Sequence, residues 1–317
     1  MRKIVLAAIL LLLALASLAE AEDEPVDTEI TWTTKASMPT GRYLLAVGVV
    51  RGKIYAIGGC NVIGCFPTLD TVEEYDPTTD RWATKASMLT GRVFLAAGVV
   101  NDRIYAIGGQ DGDSFLTTVE EYDPATDRWT TKASMPTARR GFAIGVVRGK
   151  IYAIGGYGKG KPYLTTVEEY DPAADKWTTK APMPTGRWAL AVGVVEGRIY
   201  AIGGWSSGPS TAVVEEYDPA TDRWAAKAPM PKGKRGFAIG VVDDKIYIIG
   251  DRIGDDFHTT VEEYDPATNR WETKAPMPTG RNTLIVGVVK DKIYAIGGYQ
   301  GGNSYLATVE EGTITPE

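Results

Sequence analysis

The sequence predicts an all-β propeller of six blades, with four antiparallel strands in each blade. Two observations carry this expectation. A unit of about 48 residues recurs six times after residue 30, and each copy holds four short β-rich runs broken by Gly, Asp-Pro and Asn/Asp turns. A unit of that size cannot bury both faces of its sheet alone, so neighbours must stack, and radial stacking makes a propeller.

Each copy carries three marks in a fixed order. The first is an apolar strand closing on glycine, at residues 54–59, 104–109, 151–156, 199–204, 246–250 and 293–298. The second is Val-Glu-Glu-Tyr-Asp-Pro, starting at Val72, Val119, Val167, Val214 and Val261, with a sixth copy at Val309 where Gly312 replaces the tyrosine. The third is Trp-x-x-Lys-Ala-x-Met, anchored by Trp32, Trp82, Trp129, Trp177, Trp224 and Trp271. Double glycine, then tyrosine, then tryptophan resembles the kelch repeat, and the resemblance covers residues 30–313. It implies that the first strand of each blade is innermost.

In the third copy the strands fall at residues 140–147, 150–156, 165–171 and 175–181. The repeated Gly48, Gly98, Gly145, Gly193, Gly240 and Gly287 suit a crowded axis where backbones approach closely. Trp32 arrives with no strands before it, and the chain ends after a third-strand segment with no tryptophan following. An N-terminal strand therefore completes the last blade, which removes an open sheet edge.

Ahead of this single domain, residues 1–21 read as a secretory signal: Arg2 and Lys3, an apolar run over residues 4–18, then Ala19-Glu20-Ala21 as a cleavage site. The run is shorter than the roughly 20 residues that span a bilayer, so no integral membrane anchor is expected. Residues 22–29 form a short acidic segment, and the mature protein is expected to be secreted or periplasmic. The net charge of −6 argues against nucleic acid and anionic lipid, which reward clustered positive charge. In an oxidising compartment Cys60 and Cys65 read as a local disulfide.

The motif leaves few side chains free for function. Alternate connections in a four-strand meander share an end. One end has near-uniform turns, while the other, after the glycines and after Met-Pro, varies between copies, and such loops on a rigid scaffold carry binding residues. After the arginine that follows Met-Pro the series runs Tyr43, Val93, Arg140, Trp188, Arg235, Asn282; after the glycines it runs Cys60, Gln110, Tyr157, Trp205, Asp251, Tyr299. With the resemblance's geometry these twelve positions ring the mouth of the central channel. Flat aromatics, two arginines and amides suit a sugar or an acidic sugar. Phe115, Tyr163, Phe257 and Tyr305 recur at one repeat position and read as structural. Arg42, Arg92, Arg139, Arg187, Lys234 and Arg281 recur in step with Glu73, Glu120, Glu168, Glu215, Glu262 and Glu310, which suggests repeated ion pairs within or between blades.

Propellers host many activities, so fold does not supply function. The copper radical oxidases of the kelch family need two metal-binding histidines, and this chain has only His258. No Gly-x-Ser-x-Gly segment and no Ser-x-Asp-x-Gly turn is present. The preferred reading is a monomeric kelch binding module, with no cofactor or metal, for a carbohydrate or protein ligand at the variable face. The chain also resembles exported six-bladed kelch proteins that interconvert the anomers of N-acetylneuraminate, which would ask Arg140, Arg235 and an acid such as Asp251 to act on a bound sugar. A purely structural surface protein is the third reading.

Overall fold

The computed structural model describes residues 28–253 and 256–316, so the expected signal, its cleavage point and most of the acidic segment lie outside the described residues. Six four-stranded antiparallel sheets follow one another along the chain. Blade one consists of Ala46–Val50, Lys53–Ile57, Val72–Asp76 and Arg81–Lys85, paired in that order. In blade three the strands are Ala143–Val147, Lys150–Ile154, Val167–Asp171 and Lys176–Lys180. They are shorter than the sequence suggested because the paired glycines leave the ladder, with Gly155 at φ 66° and Gly156 at φ 104°.

The ring closes as expected. Thr28–Lys35 pairs antiparallel with Val309–Pro316, so the N-terminal strand is the outermost strand of blade six. The innermost strands pack each on the next, and Ile285–Val289 of blade six returns to Ala46–Val50. Gly312 has its reason here, since a Cβ at that position would stand 3.0 Å from the ring of Trp32.

The repeat motifs turn out to be the joints between blades. The indole of Trp82 donates to the carbonyl of Ala36 at 2.9 Å, while Asp80 accepts both the Ala36 N–H at 2.9 Å and the Tyr75 hydroxyl at 2.6 Å. Each blade thus holds both backbone groups of the alanine that ends the preceding blade, and the same grip recurs on Ala86, Ala133 and Ala181. The small strand-one glycines serve the same joints. The crowding comes from a side chain rather than from facing backbones: a Cβ on Gly48 would lie 3.0 Å from Ile104 of the next blade, and one on Gly193 2.9 Å from Ile246.

The predicted ion pairs form within the copy. Arg42 meets Glu73 at 2.7 Å, Arg187 meets Glu215 at 2.7 Å and Arg281 meets Glu310 at 2.7 Å; Arg92–Glu120 and Arg139–Glu168 are also paired. These arginines are fully buried and also donate to carbonyls, as Arg42 does to Gly58 and Thr71. Burial pushes Arg139, Arg187 and Arg281 down to about 10 against the pull of their glutamates. No described helix is long and apolar enough to cross a membrane.

Candidate functional site

The two series read from the sequence are cross-strand partners. Tyr43 pairs with Cys60, Val93 with Gln110, Arg140 with Tyr157, Trp188 with Trp205 and Asn282 with Tyr299. Each pair stands at the variable end of its blade, and together they surround a cavity of about 520 Å³. Tyr43, Val93, Gln110, Arg140, Trp188, Trp205, Arg235, Asn282 and Tyr299 line it.

Three predicted positions behave differently. Tyr157 stands behind the wall, with its ring 5.9 Å from Trp188 and 5.3 Å from the Arg140 guanidinium. Cys60 is buried, bonded to Cys65, and Cys65 lines the cavity in its place. Asp251 does not face the mouth. In blade five the second and third strands run on as Lys245–Ile253 and Asp256–Asp265, with a register shift between Ile249 and Asp251. That shift turns Asp251 inward, fully buried, 3.0 Å from Lys234 and hydrogen-bonded to His258. Lysine lacks the reach of the arginine it replaces, and Asp251 brings a carboxylate to it; Glu262 stays at 3.2 Å. Lys234 and Asp251, which set the fifth copy apart from the others, are thus a compensated pair of changes.

Arg252, which sequence reasoning missed, takes the place at the mouth. Also missed were Leu44, Phe94, Ala189, Gly236 and Thr283, one residue beyond the predicted series, which line the cavity too. All five adopt positive φ in the left-handed region, between 50° for Thr283 and 66° for Gly236. Their signal was hidden because only the glycines at positions 141 and 236 advertise that conformation. The strain is offset by backbone hydrogen bonds from blade to blade: Phe94 N–H to Leu44 at 3.0 Å, Gly141 to Phe94 at 2.9 Å, Ala189 to Gly141 at 2.7 Å.

Aromatic and cationic side chains gather on one side. The rings of Trp188 and Trp205 lie 6.1 Å apart at 18°, nearly parallel. Arg140 is enclosed by Phe94, Phe115, Tyr157 and Trp188 at 5.1 to 5.8 Å and hydrogen-bonds to Gln110, yet its buried Nε has no partner. Arg235 lies over Trp205 at 3.9 Å and has no carboxylate partner among the described residues. Burial, then the neighbouring Arg252, holds its guanidinium below the ordinary arginine value. The opposite side is neutral: Tyr43 stacks against both Tyr299 and Tyr305, each at 5.3 Å, and burial raises its hydroxyl. Phe115, Phe257 and Tyr305 support these rings from behind, as the structural reading expected.

Clefts at the other end of the ring hold charges already paired, such as Lys53 with Glu74 at 2.8 Å. The mouth has three lining arginines and no lining carboxylate among the described residues. It can accept an anionic group, cover an apolar face and bond hydroxyl or amide groups.

The fold is that of a kelch propeller, and the comparisons agree. Residues 131–298 match the family model of the KLHDC2/KLHL20/DRC7 Kelch-repeats domain, and residues 41–89, 91–136 and 286–311 match the Kelch motif. The chain belongs to the kelch-repeat family. The solved structure of YjhT is similar to it at TM-score 0.75 and 17% identity, over 88% of this chain and 98% of that one, a likeness of fold. No curated protein matches the sequence.

Proposed function

We propose that this chain is an exported kelch binding module that takes a negatively charged ligand into the mouth on its variable face. One observation carries the reading: in a chain of net charge −6, the cavity is lined by Arg140, Arg235 and Arg252 and by no described carboxylate. The partly buried guanidiniums of Arg140 and Arg235, beside aromatic faces, are costly to leave without a counter-charge, so an entering anion gains strong, geometrically defined bonds. Both an acidic carbohydrate and an acidic part of a protein meet this requirement. Export rests on the sequence of residues 1–21.

Anomer interconversion loses its proposed acid, because Asp251 is committed to Lys234 and His258 inside blade five. The reading as a binder therefore stands ahead of it. The test is a thermal-shift panel of neutral sugars, uronic acids and N-acetylneuraminate on the wild type and on Arg235→Ala. Ligands that bind the native state raise its melting temperature. Acidic members should raise it and neutral ones should not, and Arg235→Ala should remove the shift. A shift from neutral sugars that survives Arg235→Ala would overturn the charge assignment.

A further inference from the structure

Blade one carries a long loop braced by a disulfide, with its tip at the rim of the cavity. Cys60 is buried at its base and bonded to Cys65, and the Leu69 N–H closes the loop on the Gly59 carbonyl at 2.9 Å. The tip is held by the Cys65 N–H donating to the Val62 carbonyl at 3.2 Å and by the Tyr43 hydroxyl, 3.2 Å from Cys65 Sγ. On this braced tip Ile63 is 75% exposed, Phe66 74% and Val62 37%. These are three of the four large apolar side chains exposed among the described residues.

Exposed apolar side chains scattered singly carry no message, but a cluster on a covalently braced loop marks an interaction surface. Its position says with what. Gly64 and Cys65, between the exposed residues, line the same cavity as the arginines. The apolar tip therefore adjoins the rim of the cationic mouth, and a partner longer than a single sugar can reach both. A free sugar acid satisfies the arginines but leaves the tip in water. A polypeptide does both, because an acidic side chain and an apolar one can lie a few residues apart on one strand or turn.

We infer that the loop and mouth together dock a protein segment that presents an acidic side chain to Arg235 and an apolar side chain to Ile63 and Phe66. This rests on the anion-binding reading of the mouth and names its partner class. The apolar contact supplies affinity by leaving water, and the arginines fix register and orientation.

The test is selection from a displayed library of random peptides on the intact protein, followed by affinity measurement of the enriched peptides on three proteins: the wild type, Ile63→Ser with Phe66→Ser, and Arg235→Ala. Both variants alter surface side chains, and their melting temperatures are checked against wild type. The expected result is enriched peptides combining Asp or Glu with a large apolar residue, bound about tenfold or more weakly by each variant. Peptides indifferent to the loop variant but lost with Arg235→Ala would overturn the inference and leave the mouth reading intact. So would the absence of any enriched peptide while a sugar acid still gives an Arg235-dependent thermal shift. If neither peptides nor sugar acids depend on Arg235, the mouth reading itself fails. A dimer in sedimentation that the loop variant dissolves, or binding to phosphatidylcholine vesicles that it abolishes, would assign the tip to a second copy or to lipid and overturn the inference.

Discussion

The turn before each motif tryptophan is held by an acidic residue whose role is specific to one oxygen. Asp80, Asp127, Asp175 and Asp222 sit at φ between 51° and 55° and accept the hydroxyl of their blade's tyrosine and the alanine N–H of the preceding blade. Those hydrogen bonds hold all four carboxyls below their ordinary value, the tyrosine hydroxyl contributing most. A depressed folded-state value means that the unfolded chain binds protons more readily. The stability is therefore present above the unfolded value of about 4 and is lost as pH falls through the folded one. The fifth copy shows what an uncharged substitute does: Asn269 keeps the left-handed turn, accepts from Tyr264 at 2.7 Å and from Ala228 at 2.9 Å, and does not titrate. Replacing the four aspartates by asparagine should flatten the acid side of a plot of melting temperature against pH, mainly by lowering the neutral-pH plateau. An acid limb as steep as the parent's would show that other carboxyls control it. This grip was only half legible in the sequence. The tyrosine and tryptophan were visible as recurring marks, but that the tryptophan and the aspartate held by the tyrosine converge on one alanine of the neighbouring blade depends on ring geometry. Asp251 shows the opposite failure: its place in the aligned series pointed to the mouth, and a one-residue register shift turned it into the wall.

Among the elements, the innermost strands are set by what each glycine leaves room for. Gly193→Ala would place a methyl 2.9 Å from Ile246 Cδ1, deep in the joint between blades four and five. Overpacking of this kind costs about 1–3 kcal/mol, and the loss is expected in denaturant unfolding of that variant; Gly208→Ala, where nothing lies within 4 Å of the new carbon, serves as the control. Equal stability of the two variants would mean that the joint relaxes freely. Strand order and the five arginine–glutamate pairs were readable because repetition exposes them, and the stitched sixth blade because its parts stand at opposite ends of the repeat series. The positive-φ positions at the mouth were not, since Leu44, Phe94, Ala189 and Thr283 are residue types that give no hint of the left-handed region. Where a series mixes glycine with bulky residues at one repeat position, as Gly141 and Gly236 do here, the glycines report the backbone that the others must share.

At the scale of the whole molecule, two populations of tryptophan divide the work. Five of the six motif indoles donate at 2.8 to 3.0 Å to alanine carbonyls across blade joints, and Trp32 closes the ring on Ala275 at 3.3 Å. Trp188 and Trp205 instead face the cavity beside Arg140 and Arg235. The ring is a rigid repeated frame, and variation is concentrated where one end of it opens. The most direct measurement of the central claim is therefore the indole N–H spectrum of protein labelled with ¹⁵N-tryptophan, titrated with glucuronate and with an enriched acidic peptide. The account predicts that the signals of Trp188 and Trp205 move, that the six motif signals stay in place, and that Arg235→Ala abolishes the response. Movement confined to the motif tryptophans, or no movement with either ligand, would contradict a binding site at the mouth.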